Sequence, residues 1–110
     1  MGLMRTGARG RRRRWSELVD LVATFCEVER DDLLDRRTAP ASVAARQVAM
    51  YLAHLSLGLS FAEIARLTGR HPTTVAHACR LMEDRRDAPA FDVRLDRLEN
   101  ILTRLRRAPR

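Results

Sequence analysis

Apolar residues recur every three or four positions along most of this chain, and no stretch alternates with the period of two that marks a half-buried strand. The first apolar run follows Ser16, a residue type that caps helix N-termini, and carries Leu18, Leu21, Val19, Val22, Phe25 and Cys26. A short helix is expected over residues 31–35, bearing Leu33 and Leu34. Arg36-Arg37-Thr38-Ala39-Pro40 then reads as a basic connector broken by its proline. A long helix is predicted over residues 41–57, with Ala45, Val48, Leu52 and Leu55 on one face and Gly58 as its C-cap.

Ser60-Phe61-Ala62-Glu63 has the spacing of a capping box, in which the serine and the glutamate satisfy each other's backbone N–H groups. The helix it opens is short and ends near Leu67, and Thr68-Gly69-Arg70 makes a turn. Another helix starts at His71-Pro72, where proline costs nothing because a first-turn N–H has no intrahelical partner. Val75, Ala78, Cys79 and Met82 form its buried stripe, and a last helix over residues 89–107 buries Phe91, Leu95, Leu98, Ile101, Leu102 and Leu105. The expected architecture is an all-α, six-helix domain over residues 15–107. A Gly/Arg-rich tail, residues 1–14, precedes it and has too little apolar surface to order alone.

Composition sharpens this picture in one respect and charge in another. All 21 basic residues among the 110 are arginine, so no P-loop, Schiff-base or general-base lysine is available. The formal net charge of +7 is segregated. Residues 1–14 hold six arginines and no acid, and residues 17–35 hold seven acids against one arginine. Residues 36–82 hold six arginines against Glu63 alone, which implies one anion-binding face on the folded body. Cys26 and Cys79 sit in apolar helical patterns and read as reduced core residues, without the spacing of a zinc site. Three scattered histidines and no nucleophile–base arrangement argue against an enzyme, and no cofactor or metal is expected. No apolar run reaches the length of a membrane span, and a cytoplasmic, nucleoid-associated protein is expected.

Ala65, Gly69 and Val75 have the spacing of a helix-turn-helix: a small residue where the helices cross, a positive φ in the turn, and a core anchor on the second helix. Arg70, His71, Thr73, Thr74, His77 and Arg80 then fall outside the buried stripe, and Thr73 and Thr74 lie in the first turn, where a recognition helix meets bases and phosphates. Arg70 sits beside helix N-terminal N–H groups that also favour a phosphate. An αα-hairpin in a purely structural bundle has the same spacing and remains the alternative.

Two segments in order, Arg46-Gln47-Val48-Ala49-Met50-Tyr51-Leu52 and residues 69–80 (Gly-Arg-His-Pro-Thr-Thr-Val-Ala-His-Ala-Cys-Arg), resemble the C-terminal DNA-binding domain of DnaA, the bacterial replication initiator. The resemblance implies a Trp-repressor-like bundle that binds double-stranded DNA, with helix 71–86 in the major groove and the connector 36–46 on the backbone or in the minor groove. It places Arg46 and Gln47 on phosphates, Thr73 on a thymine and Thr74 on a phosphate, with His77 and Arg80 in secondary roles. Two departures are visible. His71-Pro72 stands where the family has a base-reading Asp-His pair, and Thr38, preceded by Arg36 and Arg37, stands where it has a minor-groove arginine. The expected target therefore differs from the standard DnaA box.

The family's ATPase domain would precede this one, whereas 14 residues do so here, so the expectation is a stand-alone DnaA-like protein that does not use ATP. The resemblance then implies a transcriptional regulator, such as those activating phage-like or gene-transfer-agent genes. The alternatives are a modulator of replication initiation competing at origin sites, or a helical module that binds protein rather than DNA. The acidic stretch from Glu27 to Asp35 reads as a solvated face, with contact to transcription machinery or another regulator as the alternative. The Arg9–Arg14 run is either a phosphate-binding arm or a solvated tail.

Overall fold

The computed structural model describes residues 7–36 and 39–107, the side chains of Arg106 and Arg107 excepted, and the described residues form six α-helices and no strand. The first, α1 (Ala8–Cys26), begins well before Ser16 and corrects two expectations. Residues 8–14 are helical rather than a disordered tail, and Ser16 lies inside the helix instead of capping it. Arginine is a good helix former, and the run is tethered at both ends. Trp15 is 6% exposed in the core, and Arg11 Nε lies 3.4 Å from the Glu63 carboxylate. The Ser16 hydroxyl accepts a hydrogen bond from Arg30 Nη2 at 2.8 Å, tying α1 to the next helix. Residues 1–6 of the expected tail lie outside the described residues.

Helix α2 (Arg30–Leu34) buries Leu33 fully and leaves Leu34 exposed. Helix α3 (Pro40–Leu55) is the centre of the bundle and packs against α1, α2, α4 and α5. It is apolar on nearly every side, as a helix surrounded by others must be: Ala45, Val48, Ala49, Met50, Tyr51, Leu52 and Ala53 are all buried. It ends at Ser56, before the expected residue 57, and Gly58 takes its positive φ of 70° in the loop beyond. Leu55, assigned to the core face, is exposed because the helix stops before a partner covers it.

Helices α4 (Phe61–Thr68) and α5 (Pro72–Arg85) follow the expected boundaries closely, and Val75, Ala78, Cys79 and Met82 are the buried stripe of α5. Helix α6 (Pro89–Arg107) buries Leu95, Leu98 and Leu102, each worth about 1.5–3 kcal/mol of transfer free energy. Leu105, expected in the core, is 59% exposed where α6 runs past its neighbours.

Arg86 fixes α6 against α3 and α5. Its Nε lies 2.6 Å from Asp92, its Nη2 lies 2.6 Å from Asp96 and 3.1 Å from Glu99, and its Nη1 donates to the Tyr51 hydroxyl at 3.2 Å. The Tyr51 hydroxyl donates in turn to Glu83. Burial works against the Arg86 charge, but the bonds to Asp92, Tyr51 and Glu99 outweigh it and raise the pKa above the ordinary arginine range. Desolvation and the Glu83 bond push Tyr51 up to about 12. Arg86→Ala would leave three carboxylates together without their cation. Because these acids remain partly exposed, the expected cost is about 1–3 kcal/mol. Thermal unfolding followed by circular dichroism should show Tm falling by roughly 5–15 °C; an unchanged Tm would mean the cluster is idle.

Candidate nucleic-acid interface

The geometry of the helix pair starts from its caps. Ser60 Oγ accepts from the Glu63 N–H at 3.1 Å and Glu63 Oε1 accepts from the Ser60 N–H at 2.8 Å, so the expected capping box fixes where α4 begins. Gly69 ends α4 with φ of 68°, and the Arg70 N–H bonds back to the Ala65 carbonyl at 3.0 Å. A side chain at that φ would be strained, which is why the turn carries glycine. Ala65 is buried at the helix crossing and Val75 is fully buried, so both act as the spacing predicts.

The opening turn of α5 is held by its own first residues. His71 is the N-cap, and its Nδ1 accepts from the Thr73 N–H at 3.1 Å. That bond requires the tautomer with Nε2–H as the ring's donor. Pro72 occupies the first turn without loss of a hydrogen bond. Thr73, Thr74, His77 and Arg80 are all exposed, on the side of α5 away from its buried stripe. The structure therefore collects these side chains on one accessible face.

The basic connector is fastened to this turn by reciprocal bonds. Arg36 Nη2 donates to the Gly69 carbonyl at 3.4 Å, and Arg70 Nη2 donates to the Asp35 carbonyl at 2.9 Å. From beneath, Arg46 Nη2 donates to the same Asp35 carbonyl at 2.6 Å and to the Asp32 carbonyl at 3.2 Å, while Nε donates to the Leu33 carbonyl at 2.8 Å. Arg46, expected on a DNA phosphate, is 7% exposed here, with its guanidinium directed at these three carbonyls. Burial lowers its pKa, the nearby Arg70 charge lowers it further, and Asp35 opposes both. Gln47 is half-buried on α3, and Arg37 and Thr38 lie outside the described residues.

Sequence reasoning missed the backbone of Asp35, where Arg46 and Arg70 meet. The one available signal was an arginine set among small and apolar residues that a central helix buries. The rest of the molecule offers little chemistry to compete with this face. Burial pushes the Cys79 thiol up to about 11, leaving it protonated near neutral pH, and it raises Cys26 as well. Among the described residues no cluster of His, Cys, Asp and Glu is arranged to hold a metal ion. Among the same residues no helix is long and apolar enough to cross a membrane.

Comparison with known proteins decides between a helix-turn-helix and a structural hairpin. The family model described as bacterial DnaA protein helix-turn-helix matches residues 15–81. The chain belongs to this family. It is 40% identical over 85 residues to the chromosomal replication initiator protein DnaA of Brucella abortus biovar 1, a match covering 76% of this chain and 17% of that protein. The DnaA of Agrobacterium fabrum is 41% identical over 75 residues, covering 67% of this chain and 15% of the relative. A crystal structure of a DNA replication initiation factor superposes with a TM-score of 0.79 at 32% identity, over 86% of this chain and 29% of that one. The chain thus spans less than a fifth of the length of these two DnaA relatives. The matched span holds α4, the turn and α5 as far as Leu81, and membership supports DNA binding by this domain.

Proposed function

We propose that this chain binds double-stranded DNA sequence-specifically and acts as a transcriptional regulator. The observation that carries the reading is the exposed face formed by Thr73, Thr74 and His77 on the opening turns of α5, bordered by the Arg36–Arg70 fastening. Residues 15–107 form the binding unit in this reading. The first turns of α5 enter the major groove, with Thr73 at a thymine and Thr74 at a phosphate. Arg70, Arg36, Arg37, Thr38 and Gln47 serve the backbone or the minor groove. His71 donates through Nε2–H, and Pro72 supplies a rigid apolar contact. The protein performs no catalysis and needs neither ATP nor a cofactor, and it works at the nucleoid. Because the relatives are replication initiators, competition at origin sites is the second reading, and a genome-wide occupancy map separates promoters from an origin.

The test is a duplex panel titrated by fluorescence anisotropy. Thr73→Ala should lose about 1–3 kcal/mol of discrimination at one base position, while Thr74→Ala should weaken all sequences alike. Uniform loss in both variants would overturn the assigned geometry, and no duplex binding at low salt would overturn the DNA reading itself.

A further inference from the structure

Residues 8–14 precede the span matched by the family, yet they are built into the fold beside the helix-turn-helix. Ala8, Arg11, Arg12, Glu63, Arg66 and Leu67 line one shallow cleft between the start of α1 and α4. Arg11 is drawn to α4 by Glu63 at 3.4 Å. Arg12 and Arg66 are exposed on either side, and neither makes an ion pair within 4 Å among the described residues. In helix-turn-helix docking the first helix of the pair crosses the DNA backbone while the second enters the groove. Docked in that way, α4 would be the crossing helix and the arginines of the α1 cleft would lie next to the strand it crosses.

We propose that the first two turns of α1, together with Arg66 of α4, form a second phosphate-binding surface that grips the DNA backbone beside the helix-turn-helix and lengthens the footprint. The inference rests on the DNA reading above. A helical segment already packed on Trp15 and Glu63 holds its arginines in place before binding, so little ordering entropy is lost when DNA arrives. Glu63 is the single acid between Arg36 and Met82, and it does two jobs: Oε1 caps α4 and Oε2 holds Arg11.

The experiment compares duplex affinity and its salt dependence for the full chain, for Arg12→Ala/Arg66→Ala, and for Arg97→Ala/Arg104→Ala, which removes the same charge from the exposed face of α6. Two lost phosphate contacts should flatten the log–log salt slope by about 1.8 and cut affinity at 0.1 M salt by roughly tenfold or more, with site preference unchanged. The α6 variant should change little. An unaltered slope in Arg12→Ala/Arg66→Ala, or an equal loss in the α6 variant, overturns the proposal and leaves the DNA reading intact. Failure of the unsubstituted chain to bind any duplex overturns both.

Discussion

Duplex affinity is expected to fall about a thousandfold as salt rises from 50 to 200 mM. The charges at the face, rather than the total, set this dependence. Residues 36–82 carry six arginines against one glutamate, while residues 17–35 carry seven acids against one arginine. The basic stretch attracts phosphate and the acidic one repels it, so the favourable term comes from a few placed contacts. Arg36 spends one guanidinium bond on the Gly69 carbonyl and Arg70 one on the Asp35 carbonyl, and a guanidinium has five N–H donors, so both keep donors for a phosphate. With Arg12, Arg66 and Arg80 exposed, and the opening N–H groups of the helix pair, about six phosphates can be neutralised. Each releases counterions with a slope contribution near 0.9, and about six of them lose roughly 10³ in affinity over this range. Isothermal or anisotropy titrations at four salt concentrations measure the slope directly. A slope shallower than about 2 would be incompatible with a backbone-gripping helix-turn-helix. It would favour a protein partner instead, for which exposed ion pairs contribute only about 0–1 kcal/mol each.

Features set by neighbours in sequence were legible before the structure, and features set by distant neighbours were not. The Ser60–Glu63 box, the positive φ at Gly69 and the stripe from Val75 to Met82 are each decided within one or two helical turns. The start of α1 was not legible. Gly7 caps it without a side-chain bond, and the arginines that follow look like a solvated run until Glu63, more than fifty residues away, is seen to hold Arg11. Leu55 and Leu105 fit the helical period as well as any core residue, and only the reach of the neighbouring helices leaves them in solvent. The candidate site divides the same way. The exposed face of α5 follows from helix geometry. The fastening of connector to turn depends on carbonyls that Arg46 reaches across 11–14 positions and Arg70 across 35.

Arg46→Ala is expected to destabilise the fold and to weaken DNA binding through that loss, a combination that a surface phosphate contact would not produce. The side chain is 7% exposed and donates three hydrogen bonds to the end of α2 and the start of the connector, and no buried side-chain nitrogen or oxygen among the described residues lacks a partner. Hydrogen bonds from a charged donor contribute about 1.5–3 kcal/mol each at most. Here the Asp32 and Asp35 carbonyls belong to half-exposed and exposed residues that water can serve once the guanidinium is gone. The Leu33 bond and the lost packing of the arginine stem then dominate, and a net cost of about 2–3 kcal/mol follows. For a domain of this size that is a fall in Tm of roughly 10–20 °C. Arg46→Lys should recover only part of it, because one ammonium cannot span three carbonyls that a planar fork reaches together. With Asp35 no longer held, Arg36 and Arg70 lose their registered positions at the turn. Affinity should therefore drop for every duplex sequence alike, even well below the new Tm. If Arg46→Ala instead left Tm unchanged and only flattened the salt slope by about one contact, Arg46 would be touching phosphate, and its buried position would have to open on binding.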